Sequence, residues 1–247
     1  MKTKIILLIV ALVTPLKEYA QTQLNKTFPM QGAQRITMHF DYPELIRVTT
    51  WDKNEVSIQG SISINSGEHD DAFTIEGSTS GTSLSINAYI KNMKSLPQRI
   101  TIIRNGEKII FKDKTELKKY QAEHGKGYDV MNYGLDMDIL LEIKVPKNIE
   151  TRIESVYGMV EIKSFEGPLT VEATYGGVDA ALTERATGEV IAETNYGEIY
   201  TNLDVKFGGE SFKNEDFHTY VTAKPGTGPR YSFESKYGNV YIRKAAN

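Results

Sequence analysis

The chain contains no cysteine among its 247 residues. That absence excludes a disulfide scaffold, a cysteine nucleophile, a thiolate metal site and a lipid-anchored N-terminal cysteine. An excess of positive charge is also missing. Lysine and arginine number 29 against 32 acidic residues, a formal net charge of −3. Nucleic-acid binding wants a basic face, so the composition argues against it. Long apolar runs are scarce as well. The one clear case is Ile5 to Val13, nine residues reading IILLIVALV. A membrane-spanning helix needs about 20.

That short run follows Lys2 and Lys4 and fits the apolar region of a secretory signal peptide. The expected signal peptide covers residues 1–20, with cleavage after Ala20. A buried N-terminal helix or strand is the competing reading. Loss of Lys2, Lys4, Lys17 and Glu18 would leave 26 basic and 31 acidic residues, a net of −5. The expected location is the periplasm or the cell surface, with no transmembrane segment in the mature chain. Without disulfides, stability must come from packing and backbone pairing.

What is abundant is alternation and tyrosine. Ile36, Met38 and Phe40 alternate with polar neighbours, as do Val56, Ile58, Ile62 and Ile64; a period of two is the mark of a strand. Ile100–Ile103 and Lys108–Phe111 flank Asn105-Gly106, a strong hairpin signal. Residues 115–124 carry good helix formers, a cap at Asp113 or Thr115 and a stop at Gly125. They predict one short helix inside an insertion. A strand from Ile139 to Val145 stops at Pro146.

After Pro146 the chain repeats itself. Glu154-Ser-Val-Tyr157-Gly158, Glu172-Ala-Thr-Tyr175-Gly176, Glu193-Thr-Asn-Tyr196-Gly197 and Glu234-Ser-Lys-Tyr237-Gly238 share one pentad. Apolar residues stand three positions after each tyrosine: Val160, Val178, Ile199 and Val240. This describes strand, corner, strand. A period near 20 residues with strand alternation is the signature of stacked coils, a β-solenoid. An antiparallel sheet of Tyr-Gly hairpins stays open beside it. The wider gap before Tyr237 reads as one degenerate coil plus an insertion. The expected division is 1–20 signal peptide, 21–145 an N-terminal β-rich part continuous with the solenoid, and 146–247 the repeat region. Tyr241-Ile242-Arg243-Lys244 is placed at the solenoid end, capping it with charge.

The stretch Val48-Thr-Thr-Trp51-Asp-Lys-Asn-Glu-Val56, the strand Ile143-Lys-Val-Pro146-Lys-Asn148 and the Tyr-Gly repeats resemble the bacterial putative-adhesin β-strand-repeat family, an exported domain of unknown function. The resemblance covers most of residues 35–247; the segment near 113–124 fits it least. It implies a right-handed parallel β-helix, an exported protein and no established enzymatic activity.

In-register coils would align Tyr157, Tyr175, Tyr196 and Tyr237 as one ladder and Glu154, Glu172, Glu193 and Glu234 as another. Stacked tyrosines fill corners or, exposed, meet a glycan or an envelope protein. Carboxylates about 4.8 Å apart repel by roughly 1 kcal/mol in water and invite a counter-ion. Structural corner-filling and a solvated acidic stripe are the plainer readings. Glu68-His69-Asp70-Asp71 is the densest acid/histidine cluster and reads as a solvated loop. His39, His124 and His218 are scattered. No phosphate loop or nucleophile elbow occurs. The sequence therefore supports an exported, non-enzymatic, adhesin-like binding module with no catalytic residue, metal or cofactor. The alternative is a polysaccharide lyase or glycoside hydrolase, for which acids must converge; Asp136, Asp138, Asp179 and Asp204 are its candidates.

Overall fold

A computed structural model describes residues 21–205 and 212–245. The expected signal peptide lies outside these residues. No helix among them is long and apolar enough to cross a membrane.

In chain order the strands begin with β1 (Thr22–Pro29), β2 (Arg35–Phe40), β3 (Leu45–Trp51), β4 (Glu55–Ile64), β5 (Phe73–Ser80) and β6 (Ser83–Ile90). An inserted segment follows: β7 (Arg99–Arg104), β8 (Glu107–Phe111), helix α1 (Lys114–His124) and β9 (Val130–Gly134). Next are β10 (Met137–Pro146), β11 (Glu150–Ser155), β12 (Met159–Ile162), β13 (Leu169–Ala173), β14 (Val178–Leu182), β15 (Glu189–Thr194) and β16 (Ile199–Thr201). The last four are β17 (Phe212–Glu215), β18 (His218–Ala223), β19 (Arg230–Ser235) and β20 (Val240–Lys244).

Two large sheets share one core. One runs β1-β4-β10-β3-β12-β14-β20-β16 and the other β17-β18-β15-β19-β13-β11-β2-β6-β5. Alternate residues point inward, so Ile153, Val171, Ala192 and Phe233 of one sheet join Val160, Val178, Val240 and Ile242 of the other in a single buried cluster. Each Tyr-Gly corner links a strand of one sheet to a strand of the other, making a two-strand rung. β2/β3 is a rung of the same kind.

The expected right-handed parallel β-helix of 20-residue coils is not what the chain builds. Both sheets are mixed. Antiparallel strands β1, β4 and β10 fill one end of the first sheet, and β5 and the β17–β18 hairpin flank the second. The rungs pair in parallel, which also sets aside the Tyr-Gly hairpin reading, but they do not follow chain order. β19/β20 lies between β13/β14 and β15/β16. The wide gap between repeats holds the hairpin β17–β18 in place of a degenerate coil, and residues 206–211 within it lie outside the described part. β18 pairs with one edge of β15, so the returning chain takes β15's other edge. The C-terminal Tyr241–Lys244 strand is therefore interior to its sheet and caps no end. The repeat specifies strand, corner and strand. Near-identical rungs are interchangeable neighbours, so the period carries no information about their order.

The corner chemistry explains the pentad. A Cβ on Gly158, Gly176, Gly197 or Gly238 would fall 1.9–2.0 Å from a carbonyl oxygen of the neighbouring rung. Glycine is required there for close backbone approach, and none of the four has a positive φ. The small residue two before tyrosine is buried in each repeat, and in two of them it ties rungs together. Ser235 Oγ donates to the Gly176 carbonyl at 2.8 Å and accepts the Gly238 N–H at 2.9 Å. Thr194 Oγ1 donates to the Gly238 carbonyl at 2.9 Å and accepts the Gly197 N–H at 3.0 Å.

The insertion forms a three-stranded sheet, β8-β7-β9, with a small core of Ile100, Ile102, Phe111 and Leu117. Asn105 and Gly106 both take positive φ, as the tight hairpin demands. Asp113 caps α1 by accepting the Thr115 and Glu116 N–H groups at 2.6 and 3.0 Å. Gly125, at φ 82°, ends it.

Candidate functional site: an aromatic ladder beside an acidic row

The four repeat tyrosines stand on one line at the sandwich corner, in the order of the rungs. Tyr157 stacks on Tyr175 at 5.2 Å between ring centroids, Tyr175 on Tyr237 at 5.1 Å and Tyr237 on Tyr196 at 5.2 Å. Their planes lie within 8–13° of one another. Two more rings extend the line. Tyr42 stacks beyond Tyr157 at 5.7 Å, and Phe217 closes the other end on Tyr196 at 5.6 Å, tilted by 31°. The tyrosines of the repeat keep between 44% (Tyr237) and 59% (Tyr196) of their surface exposed, and Phe217 keeps 75%. Near-parallel neighbours cover the ring faces, so the row offers solvent its edges.

The four glutamates form the parallel row on the nine-stranded sheet. Register pairs Glu154 with Glu172, Glu172 with Glu234 and Glu234 with Glu193. Arg152 spans Glu154 and Glu172. Its hydrogen bond, with a second from His39, holds the Glu154 carboxyl below the usual carboxylate range. His39 closes one end through Nδ1 to Glu154 at 3.2 Å; His218 closes the other through Nε2 to Glu193 at 2.7 Å. Glu234 has no ion pair among the described residues. Burial, then repulsion from Glu193 and Glu172, raises its carboxyl above the ordinary value.

Sequence reasoning missed both end rings and both histidine closures. Tyr42 was readable in principle. His39-Phe40-Asp41-Tyr42 lies in register with Glu154-Ser155-Val156-Tyr157, and Pro43 stands where the repeat has glycine. Phe217 had no such signal. It sits at φ 63° on the β17–β18 turn, and only pairing of that hairpin with β15 brings it to the row. A separate stack, Tyr200 on Tyr241 at 5.1 Å, lies on the other sheet.

The remaining candidates do not join the row. Asp136 is buried and pairs with Lys108 at 2.6 Å; Asp138 accepts a hydrogen bond from Gln21 at 3.1 Å. Asp179 pairs with Arg243 at 2.7 Å, and Asp204 with Lys244. Each of the four has its own ion-pair or hydrogen-bond partner, and Asp136 and Asp138 both lie close enough to Glu44 to act on its carboxyl. In the Glu68–Asp71 segment, Glu68 binds Arg99 and Lys112, while buried Asp70 accepts the Ile64 N–H at 2.6 Å. This loop is a structural brace, more tightly built than the solvated connection expected. No group of three or more potential metal ligands occurs among the described residues.

No family model matches the chain, and no curated protein matches it. Three solved structures are similar at a distance. A "putative cell adhesion protein" from Clostridium sporogenes is 11% identical over 91% of this chain and 100% of its own, with a TM-score of 0.44. A "putative adhesin" from Bacteroides fragilis is 14% identical over 92% and 98%, at 0.30. A "putative lipid binding protein" from Parabacteroides distasonis is 10% identical over 91% and 97%, at 0.24.

Proposed function

We propose that the chain is an exported, non-enzymatic binding module of the cell envelope that holds a glycan or protein surface along the aromatic and acidic rows. The observation that carries the reading is the line of six rings, exposed at its edges and flanked by four in-register carboxylates. A row needed only to fill a corner has no call for an exposed, strained phenylalanine at its end. Aromatic groups dominate the energetics of interfaces, and ring edges with hydroxyls suit a ligand approaching side-on. Export rests on the Lys2–Val13 segment.

The test pairs glycan-array and whole-cell binding by the mature chain with a lyase and hydrolase screen. Binding is expected to be lost in a Tyr175→Ala/Tyr237→Ala double variant that still folds. Turnover abolished by changing a single acid would overturn the reading. Export is checked by sequencing the N-terminus of the secreted protein, expected to begin at Gln21.

A further inference from the structure

At the Tyr42 end of the ladder a cleft of about 520 Å³ opens between the sandwich and the three-stranded sheet. That is within the range of small-molecule sites, which favour junctions between separately packed units. Here the junction lies between the two hydrophobic clusters. Tyr42, Tyr157, Met93 and Met137 supply aromatic and thioether wall.

The charged lining is Glu44, Lys108 and Asp136. It is unevenly satisfied. Lys108 Nζ, the only cation of the lining, is engaged by Asp136 Oδ1 at 2.6 Å. Glu44 makes no side-chain hydrogen bond or ion pair among the described residues. Burial, then the nearby Asp138 charge, pushes its carboxyl up, with Lys108 opposing and Asp136 adding. Asp138 is itself bonded to Gln21.

We propose that this cleft binds an organic ammonium group carried on a compact apolar body, with the charge against Glu44 and the body against Tyr42, Tyr157 and the two methionines. The alternatives fail on charge. An anion meets two carboxylates and a lysine already paired. A neutral apolar ligand strips water from Glu44 and gives nothing back, which costs free energy. An ammonium pairs the carboxylate, and its apolar body lies against the ring edges and the adaptable thioethers. This inference does not depend on what the ladder binds. The same chemistry is found in a methylated lipid headgroup and in an amino sugar.

The test is calorimetric titration of the full chain with choline and with glucosamine, each beside its uncharged counterpart, the tert-butyl analogue of choline and N-acetylglucosamine. At least one amine is expected to bind about tenfold or more tighter than its counterpart, equivalent to about 1.4 kcal/mol. Which amine it is distinguishes headgroup from sugar. Glu44→Gln, an exposed change with no side-chain partner to lose, is expected to cut that affinity by a similar factor while leaving the melting temperature in place. Tyr157→Ala is expected to weaken it as well. Equal binding of charged and uncharged partners, no binding of either amine up to roughly 10 mM, or unchanged affinity in Glu44→Gln would overturn the proposal.

Discussion

A single atom decides the role of the corner glycines. Gly176 leaves no room for a Cβ, which would meet the Gly158 carbonyl oxygen at 2.0 Å. Gly176→Ala must push two rungs apart. Overpacking of this kind costs about 1–3 kcal/mol, or a fall of several degrees in melting temperature for a chain of this size. Ser235→Ala is expected to cost about 1–2 kcal/mol, because it strands the Gly238 N–H in a half-buried corner. Both are checked by denaturant titration.

The acidic row gives a signed pH test at the same scale. The Glu234 carboxyl is raised in the folded chain. Its linkage contribution is full below its unfolded value, near 4.3, and is lost as pH rises through the folded value. Glu234→Gln should therefore be more stable than the parent at neutral pH. The gain should be below about 1 kcal/mol, because solvent screens a partly exposed site, and should vanish as pH falls into the carboxylate range. Glu154 is lowered by Arg152 and His39, so Glu154→Gln should lose stability at neutral pH and match the parent only in acid. Thermal melts between pH 3 and 8 separate the two signs.

At the scale of the element, most strands were legible. Period-two alternation located the core faces of β2 and β4, because a one-residue slip would turn each apolar set to solvent. Asn105-Gly106 located a hairpin through its positive φ angles, and Asp113 with Gly125 bounded the helix. The insertion they form has its own small core of four buried residues. Native-state hydrogen exchange is expected to show α1 and β7–β9 opening at lower free energy than β11, β13 and β19, whose strands are paired on both edges. Equal protection of the two regions would contradict this. The strands at the sheet ends were harder to read. Nothing local in β1 says that it pairs antiparallel with β4, a partner well along the chain, whereas β5 and β17 turn back on the next strand through two-residue hairpins.

At the scale of the molecule, the last rung is the keystone. β19/β20 enters between two rungs made earlier in the chain, so its removal deprives β15/β16 of a parallel neighbour and exposes the β13/β14 edges. Truncation before Arg230 is expected to abolish the cooperative unfolding transition. Loss of only a terminal coil would leave it largely intact. Circular dichroism on heating reads the difference.

The sequence by itself determined the β class, the one short helix, the Glu-x-x-Tyr-Gly corner and the alignment of like with like. Those properties are local: alternation, turn chemistry and the volume of a side chain act within a few residues. Only the tertiary structure decided that the rungs close into two mixed sheets, that their order departs from chain order, and that Phe217 and His218 complete the rows. Identical corners fit one another equally well. The choice among them fell to long-range packing, to the hairpin that occupies one edge of β15, and to the antiparallel strands beyond the parallel rungs.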